Sequence, residues 1–534
     1  MRFICPTLAL LASVFGPSLT AADGLLPRDV PLEQVVDHYI DARIREAGIQ
    51  EAGPAGDANC IRRLTLDLVG RIPTVEETQT FLTCTKPEKR VELVERLMSS
   101  PAFVRHQATE FDTMLMNGTR GSVRPYLLTA LAEGRSWDRI YRDLLLPDEN
   151  DPKLKSASEF LRQRVRDLDK LTAEISSIFF GVNVSCARCH DHPLVADWKQ
   201  DHFFGMKSFF NRTYLSGGRL AERETGLVKF KTTKGVERQA RLMFLTGKVV
   251  ETDTLKESPG EAKKSKKTSA KADPAPVQPK FSARAELVKL SLQQGERDFF
   301  ARSIVNRIWQ RFFGYGLVMP LDQMHSENAP SHPELLDWLA RDLIEHQYDL
   351  RRLIRGLVLS RAYGRDSLWD KGETPQPTLF AVARVKPLTP MQLTVSLRLA
   401  VTDPQTLPGI ARTEEADKRL QGLESSAASL ARLFEQPGDD FQVGVSEALL
   451  FSNGTAIEKD VLADGSDRLL NRLKRLKDDE AIELAVRTIL CRPPRDEERK
   501  VLGDYLKQRA DRPAEARRQM VWALLTSTEF RFNY

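Results

Sequence analysis

The segment GVNVSCARCHDHPLVADWKQDHFFG places two thiols and an imidazole within five positions, Cys186, Cys189 and His190. With six cysteines and eight histidines in 534 residues, a CxxCH string arises by chance in roughly one chain per thousand of this composition. Two thiols three positions apart lie on one face of a helical turn, where they can add to the two vinyl groups of a haem while the adjacent imidazole reaches the iron. The spacing therefore points to c-type haem, with Cys186 and Cys189 as thioether anchors and His190 as proximal ligand. For the opposite axial position His202 and Met206 are the nearest candidates, since His192 is too close to His190 in sequence to cross to the other face. Met324 and His325 are long-range options. Each has a bland explanation as well: Met206 in FFGMKSFF suits core filling, and His202 suits a helix cap.

Two other chemistries compete for the same residues. A zinc ion takes thiolates and imidazoles, from Cys186 and Cys189 with His190, His192 or His202, although adjacent ligands strain that geometry. With no cofactor at all, the cysteines are a thiol pair or a CxxC disulfide, and HDHP is a polar turn above the aromatic residues that follow. A weaker idea is a hydrolase with a metal on His190 and His192 and with Asp191 or Asp197 as base. No string typical of Ser-His-Asp, nucleotide or nicotinamide chemistry is present.

The elements that must hold this segment read as mainly α. Apolar residues recur at three and four in VELVERLMSS, RDLDKLTAEISSIFFG, FARSIVNRIWQRFFG, ELLDWLARDLIEH, LRRLIRGLVLS and MQLTVSLRLAV, which predicts amphipathic helices. Thr74 with Glu77, Ser331 with Glu334 and Thr389 with Gln392 fit the capping box, and Pro333 and Pro390 suit a first helical turn. The capping pattern around His332 accounts for that histidine without chemistry. Short alternating runs after Gly217 predict a few strands. A stretch of Lys, Ser, Ala, Pro and Glu follows, with the composition of a disordered linker. The expected organisation is thus a signal peptide over 1–22, an N-terminal helical domain with the CxxCH motif over 23–214 and a β-rich insertion over 215–250. A low-complexity linker over 251–282 and a C-terminal helical domain over 283–534 complete it.

Residues 1–22 carry one charge, Arg2, then an apolar run from Leu8 to Phe15, a Gly-Pro break and small residues ending at Ala22. That pattern predicts a secretory signal, hence a secreted or periplasmic protein in an oxidising compartment, with no membrane span after cleavage. Of the five remaining cysteines, Cys60 and Cys84 flank a turn and helix, and pairing them closes a loop with ~3 kcal/mol of chain-entropy stabilisation. Cys491 is then single and buried. The 79 Lys and Arg against 74 Asp and Glu leave a net charge of +5 over a large surface, so nothing in the charge balance calls for nucleic acid.

CIRRLTLDLVGRIPTVEE, CARCHDHPLVADWKQDHFFG, SIVNRIWQRFFGYGLV, PSHPELLDWLA and VWALLTSTEFRFN together resemble the secreted planctomycete cytochrome-like proteins, which carry two successive domains of unknown function. The resemblance covers nearly the whole mature chain. It implies export and a cytochrome-like site at Cys186, Cys189 and His190, but no established reaction. The stretch MPLDQMHSEN departs from the family pattern, so Met324 and His325 gain no ligand role from it. Two functional classes follow: a periplasmic redox component acting with an electron partner or a small oxidant, or a polysaccharide-related binding and assembly module of the cell envelope whose cysteine cluster is structural.

Overall fold

The computed structural model describes residues 24–256, 279–293, 295, 298–409, 413–438, 445–455 and 457–534. The segment expected to be a signal peptide, 1–22, and most of the expected low-complexity linker, 257–278, lie outside the described residues. The protein is mainly α, 55% helical, and its sheets among the described residues are four two-stranded antiparallel pairs. Three of these are hairpins that follow one another between Thr213 and Val250, where alternation predicted strands. No helix among the described residues is long and apolar enough to cross a membrane.

Local chemistry sets several helix starts. Thr74 accepts the amide of Glu77 at 3.1 Å while Glu77 returns a carboxylate to the amide of Thr74 at 2.8 Å, so the helix Val75–Thr83 begins with a complete capping box. Thr389 and Gln392 do the same for Pro390–Ala400. The box expected at Ser331 is not made. Ser331 gives its amide to the carbonyl of Leu317 and its hydroxyl to a hydrogen bond with His332 Nδ1, so the helix Pro333–Glu345 starts one residue later, at His332, without a side-chain cap. Replacing Thr74 by alanine removes one half of the first box and is expected to cost about 1 kcal/mol in a denaturant melt.

The buried apolar residues form two large clusters. The first runs from Leu26 to Ala381 and joins helices from both sides of the linker segment. At its centre Tyr141 stacks obliquely on Phe179 and Phe300, each at 4.7 Å between ring centroids, with Trp137 alongside. The second cluster gathers residues from Leu388 to Phe530 around Leu66 and Ile72 of the helix Asp57–Val69 and its following turn. That helix therefore serves both cores. Gly70 ends it at φ +74°, where a Cβ would lie 2.4 Å from His106 Nδ1, so both the backbone angle and the close approach require glycine.

A buried polar network ties the same helix to the far end of the chain. Arg62 donates through one nitrogen to the carbonyls of Glu529, Phe530 and Phe532, and Arg63 donates to those of Tyr363, Arg365 and Tyr534. Asp67 accepts from Tyr363 Oη, Asn533 Nδ2 and Lys386 Nζ at 2.8 to 3.0 Å. Lys386 also donates to the carbonyls of Arg311 and Phe312, the last turn of the helix Phe299–Phe313, where an ammonium complements the helix dipole.

Candidate functional site

The CxxCH segment leaves the helix Leu168–Phe180 at Gly181, whose φ of +65° turns the chain sharply. A Cβ there would come within 2.9 Å of Met324 Sδ. The loop around Met324 clasps the exit strand. The amide of Met324 donates to Gly181 O at 2.9 Å, Val182 bridges Gln323, and Asn183 gives its backbone amide to Asp322 O at 2.7 Å and its side chain to the Asp322 carboxylate at 3.1 Å. Val182, Val184 and Ala187 are buried and pin the strand to the core.

Ser185–Arg188 then form one 3-10 turn, with Cys189 as its C-terminal cap. In a 3-10 helix residues i and i+3 eclipse each other, so Cys186 and Cys189 share a face. Both are exposed, as is His190. The turn is braced from below: Gln200 Nε2 donates to Cys189 O at 3.1 Å, and the Gln200 amide donates to Asp191 Oδ1 at 2.9 Å. Trp198 is buried against His202 and Phe299 and accepts the amide of His192 on its carbonyl at 2.8 Å.

The histidines differ in which ring nitrogen the backbone engages. His190 Nδ1 lies 2.7 Å from the carbonyl of Asp191. A carbonyl can only accept, so Nδ1 carries the hydrogen and the neutral ring presents a bare Nε2, the tautomer a metal requires. In His192 the Nδ1 accepts the amides of Leu194 at 3.3 Å and Val195 at 3.0 Å. His202 Nδ1 accepts the amide of Lys199 at 3.1 Å, and burial holds its pKa below the ordinary histidine value. Each of these neutral rings therefore carries its hydrogen on Nε2. Only His190 of the three offers a free lone pair without breaking a hydrogen bond.

The other candidate ligands have packing or hydrogen-bonding roles in the fold. Met206 is completely buried in the large core, on the helix Gln200–Phe210 that packs against the cysteine turn. His202 is a helix-cap residue, and His192 closes its own turn. Met324 is buried, and His325 turns Nε2 to Gln323 Oε1 at 3.2 Å. Asp191 and Asp197, the carboxylates considered as bases, hold the fold together. Asp191 caps Gln200, and Asp197 accepts both the amide and the hydroxyl of Ser326 at 3.1 and 3.0 Å. Among the described residues no group of three or more His, Cys, Asp or Glu is placed to hold a metal ion.

The expected Cys60–Cys84 disulfide is not formed. Both cysteines are free thiols, one in the first turns of the helix Asp57–Val69 and the other capping Val75–Thr83. Lys89 links the two segments by donating to the Asp57 carboxylate at 2.6 Å and to Cys84 O at 3.2 Å, so an ion pair and a hydrogen bond occupy this junction in place of a covalent link. Cys491 is single and buried, near Arg62, and burial pushes its thiol up to about 11.

Residues 35–214 match the PSCyt2 family, described as a protein of unknown function (DUF1549), and residues 283–430 match PSD1, described likewise (DUF1553). The chain carries these two domains in succession. No curated protein and no solved structure matches it. The CxxCH turn thus belongs to the PSCyt2 domain, while the loop that clasps it, Asp322 to Ser326, belongs to PSD1. Sequence reasoning missed that clasp, because its bonds run largely through backbone atoms and one aspartate with no motif around it.

Proposed function

We propose that the chain is an exported cytochrome-like protein in which Cys186 and Cys189 anchor a c-type haem and His190 is its proximal ligand. The observation that carries this reading is the pairing of two exposed thiols on one face with an adjacent imidazole whose backbone hydrogen bond leaves Nε2 bare. The name of the PSCyt2 family agrees with it. Attachment needs nothing removed: each S–H adds across a vinyl C=C, sulfur taking one carbon and hydrogen the other. When bound, the haem supplies a redox-active iron. The chain's own residues fix the rest. Asp191 holds the His190 ring in its ligating tautomer, Gln200 holds the turn, and Ala187 seats it on the core.

His202 Nδ1 is engaged by the Lys199 amide and Met206 is packed in the core, so a haem held here would draw on His190 without breaking a bond of the fold, an arrangement suited to reaction with a small oxidant or ligand.

The test is export in a host that attaches haem, followed by haem staining of a denaturing gel and mass measurement of the peptide holding Cys186 and Cys189. A haem-bearing band is expected, reduced in the single variants Cys186→Ser and Cys189→Ser and lost when both are combined. Well-produced, colourless protein with both thiols free to alkylation overturns the proposal. A recovered Cys186–Cys189 disulfide also overturns it, in favour of an envelope module with a structural cysteine pair.

A further inference from the structure

A cavity of about 440 Å³ lies where the PSCyt2 domain meets PSD1, well within the size range of small-molecule sites. Val69, Leu97, Pro101 and Ala102 form its wall on one side, and Leu407 and Leu420 form it on the other. One stretch of the lining is charged. Glu77 receives Arg71 through both carboxylate oxygens, at 2.7 and 3.0 Å, and also accepts Arg96 Nη1 at 3.2 Å. Two cations thus share one buried anion.

Arg71 is buried and commits both terminal nitrogens to Glu77 and to the carbonyl of Ile72, with only its Nε unpartnered. Arg96 is different: its side chain is 43% exposed, and its one hydrogen bond among the described residues uses a single N–H of the five that a guanidinium carries. The acid on the opposite wall does not neutralise it. Asp417 is taken up by Arg105, which donates to it through two nitrogens at 3.1 and 2.8 Å while also binding Glu424. The cavity therefore offers an apolar interior and one unsaturated cationic fork at its margin.

We infer that this cavity binds a small carboxylate amphiphile, with its hydrocarbon chain against Leu97, Ala102 and Leu420 and its carboxylate on Arg96. A guanidinium fork matches a carboxylate bidentately, which an alcohol of the same length cannot reproduce. The inference is independent of the haem reading, because none of its residues belongs to the CxxCH segment.

Calorimetric titration of the purified full chain with decanoate and with decanol tests it. Decanoate is expected to saturate at one molecule per chain and to bind at least tenfold more tightly than decanol. Arg96→Met is expected to bring decanoate down to the level of decanol and to leave decanol unchanged. Ala416→Phe, a half-buried position on the lining, fills the cavity and is expected to abolish both without moving the thermal midpoint. Absence of saturable binding overturns the inference, as does binding that survives Ala416→Phe. Equal affinity for the acid and the alcohol overturns the assignment of Arg96.

Discussion

Replacing Asp67 by alanine is expected to destabilise the protein by about 3–5 kcal/mol, the cost typical of removing one partner from a buried ion pair. Asp67 is the shared acceptor for Lys386, Tyr363 and Asn533, and only 7% of its side chain is exposed. Without it the Lys386 ammonium retains the carbonyls of Arg311 and Phe312 but loses the carboxylate it is hydrogen-bonded to. Burial already pulls the Lys386 pKa down and Asp67 opposes that pull, so the variant moves the lysine towards its neutral form and weakens its hold on the helix end. Asn533 loses its acceptor too, which loosens the two-residue strand Phe532–Asn533 from Lys386–Pro387. Denaturant melts of Asp67→Ala, Lys386→Met and the double variant form the check. The double variant is expected to lose less than the sum of the singles, because removing both charges leaves no unpaired ion. A loss below about 1 kcal/mol for Asp67→Ala, or strict additivity, contradicts the role given to this pair.

The features legible in the sequence were those whose bonds are local. The capping boxes at Thr74 and Thr389 depend on residues three apart and were readable from residue type, as were the hairpins from alternation and the helices from period. Ser331 shows the limit of that logic, for a distant partner, Leu317 O, competes for its amide and shifts the helix start. The Cys60–Cys84 expectation rested on counting thiols and on loop length, neither of which measures the side-chain environment that Lys89 fills. Asp67 and Asn533 stand 466 positions apart, and no spacing rule connects them. At the candidate site the thiols and His190 were visible as a motif, but the surroundings of the other candidate ligands were not. Whether His202 or Met206 is available depends on a tautomer set by a backbone amide and on burial set by neighbouring helices, both consequences of the completed fold.

Acid is expected to unfold the protein in two stages, the first governed by buried histidines. Desolvation holds His106 down at about 3, helped by the nearby Arg311 guanidinium, against 6.5 in the unfolded chain. Burial similarly holds His332 at about 4. Below pH 6.5 the unfolded chain takes up protons that the folded imidazoles refuse, so this stability is complete above that pH and is lost as pH falls through the folded values. For His106 alone the loss amounts to about 3 kcal/mol by about pH 4. The approach of His106 Nδ1 to Glu110 Oε1 at 4.0 Å does not reverse the sign, since the ring is neutral and burial raises the Glu110 pKa. Glu110 contributes oppositely, with stability full at low pH and declining as pH rises above its unfolded value, which flattens the profile without removing it. The second stage belongs to Glu77. The carboxylate is buried, but Arg71 and then Arg96 outweigh its desolvation and hold it at about 2 against 4.5 unfolded, so its contribution is present above pH 4.5 and disappears on acidification towards 2. Urea melts across pH 3 to 8 are expected to show stability falling from about pH 6.5 downward, with a shallower fall above about pH 4.5 in His106→Gln and an unchanged lower stage. A profile flat from 7 to 5, or one that His106→Gln leaves unaltered, contradicts the assignment of the upper stage to this ring.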